Sequence, residues 1–321
     1  MYRKCCSLVV LLTAIFLVIA GAAKAQEYPV KLIRYVVPYS AGATLDIVAR
    51  VTGNELSKVL GQPIIIENRA GADGIIGFEY VAKQVPKDGY TIVIAAVSNL
   101  ATLPVTVKEL RFDPLKDLPP VTSLVEGRYI FGSASTLPWK NFGEFVAHAK
   151  ANPGRLNYGA SSTTVRLHSE ALVRELGLNV VYIPYKEASA YIPAVGSGQV
   201  HMGFMAEGSA ISLGDKMRVL ATTGTQRRET FRDAPTFAEL GLPRVRGVNY
   251  SLNVPAGVPK TVMDKLHSGA VKALQQPELK SQMAKIRLDV VGDSPEVAAK
   301  RLADEAQGFA DVARMIGLKP E

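Results

Sequence analysis

Few side chains in this chain could carry out chemistry, and their spacing limits what that chemistry is. The 321 residues contain four histidines, His148, His168, His201 and His267. None forms H-E-x-x-H, and no two lie at metal-ligand spacing on one helix. G-x-S-x-G is absent, so no strained turn presents a nucleophilic serine. Neither a G-x-x-x-x-G-K-[ST] nor a G-x-G-x-x-G phosphate loop occurs. Gly71, Gly74 and Gly77 are spaced differently and read as a turn followed by a helix start. Carboxylates are scattered, with no constellation that points to paired acid/base work. No catalytic residue, metal or cofactor is expected, and the chain reads as a binding protein rather than an enzyme.

Binding chemistry is better represented. Three stretches of small and hydroxyl residues follow predicted strands. The first is Tyr39, Ser40, Ala41, Gly42, Ala43 and Thr44; the second is Ser98 and Asn99; the third is Ser161, Ser162, Thr163 and Thr164. A helix that starts directly after such a loop points unpaired N–H groups and the positive end of its dipole beyond the strand, which suits an anionic oxygen. In an open parallel sheet, ligands bind outside the carboxyl ends of the strands. The alternative is that these loops are only caps and turns; two of them in opposed lobes would form a cleft. Asp46 at the first helix start is either a site acid or a favourable charge near a helix N-terminus. Arg166 follows the third loop, and its guanidinium matches the two oxygens of a carboxylate. It could instead pair with Glu170, one turn along the same helix.

The elements that must position these loops alternate in type. Leu32 to Pro38 is a continuous apolar run, as in a strand buried on both faces. Leu45, Val48, Thr52, Leu56 and Val59 recur at helical spacing, with Gly61 as the stop and Pro63 opening a strand over Ile64 to Glu67. Ile75 to Val85 reads as a helix and Thr91 to Val97 as a third strand. A second set follows: strand Tyr129 to Ser133, a helix capped by Asn141 and Glu144, strand Leu156 to Ala160, helix Val165 to Leu176, and strands Val180 to Pro184, Val200 to Met205 and Met217 to Thr222. After Pro255 the chain is mostly helical, with Pro259 and Ser294-Pro295 at helix starts. The pattern predicts two α/β lobes, each a doubly wound, mostly parallel sheet with flanking helices. The C-terminal helices lack strands of their own and are expected to return to the first lobe.

Composition excludes several classes. Arg3 and Lys4, the apolar run from Leu8 to Ala20, and Ala23-Lys24-Ala25 form a secretory signal peptide over residues 1–25. Its apolar run is short of the roughly 20 residues that a membrane-spanning helix needs. Cleavage after Ala25 removes Arg3, Lys4 and Lys24, lowering the net charge from +8 to +5. It also removes Cys5 and Cys6, the only cysteines, so the mature chain holds no disulfide and no thiolate. With no basic cluster in the mature chain, nucleic acid is not an expected partner.

An ordered set of short motifs then narrows the reading. Pro38-Tyr39, Asp46-Ile47-Val48-Ala49-Arg50, Gly61-Gln62-Pro63, Glu67-Asn68-Arg69-Ala70-Gly71-Ala72 and Lys87-Asp88-Gly89-Tyr90-Thr91 occur in turn. They are followed by Ala151-Asn152-Pro153-Gly154, Leu156-Asn157-Tyr158, Pro184-Tyr185-Lys186, Gly198-Gln199-Val200 and Pro255-Ala256-Gly257. Through these the chain resembles the solute receptors of tripartite tricarboxylate transporters, the Bug proteins, over the whole mature length. The resemblance implies a monomeric periplasmic binding protein of type II-like, two-lobed architecture. It places lobe 1 at 26–124 plus 254–321 and lobe 2 at 125–253. It also implies a small organic carboxylate held between the Tyr39–Thr44 and Ser161–Thr164 loops and delivered to integral membrane permease subunits. A sensing role, signalling to a membrane sensor, needs the same cleft and is the alternative. Four positions depart from the family pattern: Ala43 where the second glycine of a pair is usual, Arg166 where a histidine often precedes the leucine, Glu187 for a glycine after Lys186, and Met205 where an aspartate is common. The last removes a partner for an ammonium group and favours a simple or aromatic carboxylate over an amino acid.

Overall fold

A computed structural model of the chain describes residues 28–224, 226–242 and 245–320, so the signal-peptide segment lies outside the described residues. Strand β1 (Ile33–Val37) is buried except at Arg34. Helix α1 (Thr44–Leu60) follows and ends at Gly61, whose left-handed backbone (φ 68°) turns its N–H back onto the Ser57 carbonyl. Strand β2 (Ile64–Asn68) leads to α2 (Ile75–Glu79). The single helix expected over Ile75 to Val85 is instead α2 continued by a π turn, Tyr80–Gln84. Strand β3 (Thr91–Ala96) passes without a loop into α3 (Val97–Thr106), so Val97 opens a helix where the sequence suggested the end of a strand. After the short α4 (Pro114–Asp117), whose N-cap is Asp113, comes β4 (Pro120–Glu126), a strand without a clear sequence signal.

The second lobe contains β5 (Tyr129–Ala134), α5 (Phe142–Ala151), β6 (Asn157–Ala160), α6 (Thr163–Glu175), β7 (Val181–Pro184), α7 (Ala188–Gly196), β8 (Gly203–Ala206), α8 (Glu207–Leu213) and β9 (Met217–Thr222). The predicted cap forms: the Asn141 side chain accepts from the Glu144 N–H at 2.9 Å, and Glu144 accepts from the N–H of Lys140, one residue before the N-cap, at 2.7 Å. The chain then returns through β10 (Asn249–Asn253), α9 (Lys260–Leu274), α10 (Pro277–Lys285), β11 (Asp289–Val290) and α11 (Pro295–Met315).

The six-stranded sheet has the order β11-β4-β10-β3-β1-β2. Strand β10 is antiparallel to both β3 and β4, so β1 to β4 run the same way and their carboxyl ends share one edge. In the second lobe β5 lies antiparallel between β8 and β9, while β6 and β7 pair in parallel and join β8 through a bridge from Tyr158 to Met202. Both lobes are thus α/β layers, as the alternation predicts. Helix α9 packs on α1, and α11 packs on α3 and β4, so the C-terminal helices cover the six-stranded sheet. The second lobe is centred on Phe131, Phe145, Phe204, Phe237 and Trp139, with the Phe131 and Phe204 rings 5.0 Å apart.

Two segments cross between the lobes. β4 extends to Glu126 and β10 begins at Asn249, so the change of sheet falls at Gly127-Arg128 and just before Asn249. The crossings touch: the Gly127 N–H donates to the Val248 carbonyl at 2.8 Å. A Cβ on Gly247 would lie 2.2 Å from the Gly127 oxygen, so the approach requires glycine. Leu167 of α6 shares a buried cluster with Leu100 and Leu103 of α3 and Phe309 of α11, which seats the second lobe against the first.

Candidate ligand-binding site

The three hydroxyl-rich stretches all lie where a strand hands over to a helix. α1 has Ala43 as its N-cap and α3 has Ala96, and neither has a side-chain cap. Their first-turn N–H groups therefore have no side-chain cap. α6 is capped by Ser162, whose hydroxyl accepts from the Val165 N–H at 3.3 Å, leaving the preceding two amides open. In α1 and α3 an alanine occupies the position where a self-satisfied helix would place a serine, threonine or aspartate.

The loop after β1 is held by Asp46, which is 2% exposed. One carboxylate oxygen accepts from the Gly42 N–H and from Arg50 Nε, both at 2.9 Å; the other accepts from Asn68 Nδ2, also at 2.9 Å. Asn68 Nδ2 donates to the Tyr39 carbonyl as well, at 3.0 Å. Hydrogen bonding to Arg50 outweighs the effect of burial and holds the Asp46 pKa down at about 2. Both oxygens are engaged within the protein, so Asp46 pins the loop.

Tyr39 ties three strand ends together. Its hydroxyl accepts from Asn99 Nδ2, in the first turn of α3, and donates at 3.2 Å to the carbonyl of Asp73 in the turn after β2. Burial raises its pKa to about 12, so it stays a neutral phenol. Asp73 and its neighbour Ala72 both have left-handed backbone, with φ 53° and 47°. Ser98 is buried, while Ser40, Ala41, Gly42 and Thr44 are exposed along the rim. Arg50, Asn68 and Asp73 belong to this constellation and were not singled out from sequence. Each sits outside the hydroxyl-rich loops: Arg50 lies one turn along α1 from Asp46, while the pairing of β1 with β2 brings in Asn68 and the turn that carries Asp73.

Ser161 and Ser162 link β6 to α6, and Thr163 and Thr164 are the first two residues of that helix. The expected alternative for Arg166, a pair with Glu170, does not form. Glu170 accepts from the Tyr158 hydroxyl and lies 3.9 Å from Arg174. Arg166 stacks over the Tyr182 ring at 4.5 Å, and its Nε is buried without a partner. Met205 is 2% exposed and packs in the core, so its identity answers to packing. Two residues on, Glu207 supplies a buried carboxylate at the end of β8, held 3.0 Å from Arg228. Arg228 also reaches Asp289 of β11 at 2.6 Å, an ion bridge between the lobes.

The histidines have structural surroundings: His148 lies against Trp139, His201 faces Asn157 and His267 faces the Asp293 carbonyl. His168 is buried among Tyr129, Phe204 and Phe309, and burial lowers its pKa to about 4. Among the described residues no group of three metal-ligating side chains converges, and no helix is long and apolar enough to cross a membrane.

Two α/β lobes joined by two crossing segments, with open helix starts at the strand ends, define a two-lobed solute-binding protein. Comparison with known proteins agrees. Residues 48–318 match the tripartite tricarboxylate transporter family receptor. The Cupriavidus necator "UPF0065 protein in gbd 5'region" is 34% identical over 92% of this chain and 90% of its own length. Among solved structures, the periplasmic binding protein BugD is 25% identical, with a TM-score of 0.68 over 92% of this chain and 100% of that one. A Rhodopseudomonas palustris protein solved with adipate is 27% identical, with a TM-score of 0.71 over 92% of this chain and 100% of its own. MatC of the same organism, solved with bound malate, is also 27% identical, with a TM-score of 0.67 over 89% and 100%. The chain belongs to the tripartite tricarboxylate transporter receptor family, whose members are periplasmic solute-binding proteins rather than enzymes.

Proposed function

We propose that this chain is exported to the periplasm, captures a small organic carboxylate between its lobes, and delivers it to a tripartite tricarboxylate-type permease in the membrane. The observation that carries this reading is the set of helix starts at α1, α3 and α6. Their open N–H groups and positive dipole ends favour a carboxylate oxygen over a neutral or cationic solute. Relatives solved with adipate and malate support the choice of acid. In this reading the Tyr39–Thr44 loop and the Ser98-Asn99 turn bind from lobe 1, with Asp46 holding the loop in place. Ser161 to Thr164 bind from lobe 2, and Arg166 meets a second acidic group of the ligand. The protein works as a monomer.

The test is a thermal-shift screen of the mature protein against mono-, di- and tricarboxylates, aromatic acids, amino acids and sugars. A carboxylate at a hundred times its dissociation constant should stabilise the fold by about 2.7 kcal/mol. Stabilisation by a sugar and by no carboxylate would overturn the proposal. Arg166→Gln should weaken the best acid at least ten-fold, about 1.4 kcal/mol, with little change in the ligand-free melting temperature. Calorimetric titration reads this directly, and an unaltered dissociation constant removes Arg166 from the site.

A further inference from the structure

A second cavity, of about 390 Å3, lies beside the crossing segments, enclosed by Gly127-Arg128, Arg246 to Asn249, Gly224 and the outer turns of α11. None of the Tyr39–Thr44, Ser98-Asn99 or Ser161–Thr164 residues lines it. Most of its charges are paired within the protein. Arg301 meets Glu126 at 3.2 Å, Asp304 meets Lys300 at 2.9 Å and Arg246 at 3.4 Å, and Asp289 meets Arg228.

Three groups on the wall are not paired in this way. Asn249 is 3% exposed, and neither its Oδ1 nor its Nδ2 has a hydrogen-bond partner among the described residues. Glu305 is 7% exposed, its Oε1 is unpartnered, and it makes no ion pair among the described residues. Arg128, partly buried, donates to the Gln226 carbonyl rather than to a carboxylate. Burying a carboxamide and a carboxyl without partners is costly, so a native fold that keeps them has something to place against them.

We propose that this cavity is a second ligand site, for a small zwitterion bearing one carboxylate and one ammonium group. The chemistry of these groups matches such a molecule, which a small shift of the wall would admit to them. Arg128 and the Asn249 N–H donors suit its carboxylate, while Glu305 and the Asn249 carbonyl suit its ammonium. The wall as a whole carries four cationic side chains (Arg128, Arg246, Lys300 and Arg301) against four acidic ones (Glu126, Asp289, Asp304 and Glu305), which fits a ligand of no net charge. A simple dicarboxylate would meet that acidic half. The volume is in the range of small-molecule sites. Burial raises the Glu305 pKa to about 7, and a bound ammonium would favour its ionised form.

The experiment is calorimetric titration of the mature protein with glycine, alanine and glutamate, with acetate and methylamine as half-ligands. At least one amino acid should bind saturably, and neither half-ligand should do so. Glu305→Gln and Asn249→Leu should each weaken that binding at least ten-fold, while Ser162→Ala, at the other site, should leave it unchanged. The proposal falls if no amino acid binds, if binding survives both wall variants, or if Ser162→Ala abolishes it and so places the amino acid between the helix starts. A water-filled cavity would show as an unchanged or higher melting temperature in Asn249→Leu with no amino-acid binding in the parent protein. Should Asn249→Leu fail to fold, the near-isosteric Glu305→Gln decides alone.

Discussion

Asp46 illustrates how a buried carboxylate can set the shape of a loop from within the protein. Its carboxylate gathers the Gly42 N–H, Arg50 and Asn68, each at 2.9 Å, and so sets the shape of the loop whose amides are open. Its folded pKa of about 2 lies below the ordinary aspartate value of 3.8, so its ionised form stabilises the fold above about pH 4, and that stability is lost as the pH falls towards 2. Asp46→Asn keeps the size but turns an N–H donor towards other donors. The expected cost is about 2 kcal/mol at pH 7, shrinking as the pH falls towards 2. Urea denaturation of both proteins across that range checks it; a cost independent of pH would mean that the charge is not what holds the loop. Arg166 makes the opposite point. Sequence offered it two partners, an acidic ligand group or Glu170, and the aromatic face of Tyr182 was not foreseen because β7 lies outside its own helix.

At the scale of elements, local signals located most helices and parallel strands. Gly61, the Asn141–Glu144 cap and Ser294-Pro295 mark boundaries through backbone chemistry contained within a few residues. β4 and β10 lacked such signals. Both are almost wholly buried and include Thr122, Ser123, Asn249, Ser251 and Asn253, whose polar groups break any apolar pattern. Some of these groups find distant partners, others none: Thr122 Oγ1 donates to the Asp293 carbonyl at 2.8 Å, the Asp293 carboxylate accepts from the Ser123 N–H at 2.7 Å, and the Asn249 side chain has no partner among the described residues. The crossing depends similarly on close backbone approach. Gly247→Ala would place a methyl group 2.2 Å from the Gly127 oxygen and 2.8 Å from Thr223 Oγ1. We expect a loss of at least about 1–3 kcal/mol, since the atoms met first are backbone and cannot swing aside. Denaturant titration checks this, and a neutral substitution would show that the crossing can spread.

For the whole molecule, the two lobes meet along a seam at which α6 packs against α3 and α11. The ion bridge from Glu207 through Arg228 to Asp289 spans the same two lobes. The exported form should begin at Gln26, because Ala23 and Ala25 are the small residues that precede a cleavage point. Intact-mass measurement on periplasmic protein checks this; a species retaining Cys5 and Cys6 would contradict it.

The sequence by itself determined the α/β class, the absence of recognisable catalytic and metal-binding motifs, and the two hydroxyl-rich loops, after β1 and β6, where helices start at strand ends. These rest on periodicity, caps and turn residues that act over a few positions. Only the tertiary structure decided which backbone donors stay open, what Asp46 and Arg166 touch, and where Asn249 and Glu305 are buried. Those outcomes depend on contacts between segments tens to hundreds of residues apart, and the energy of such a contact is set by geometry and burial, which residue order does not carry.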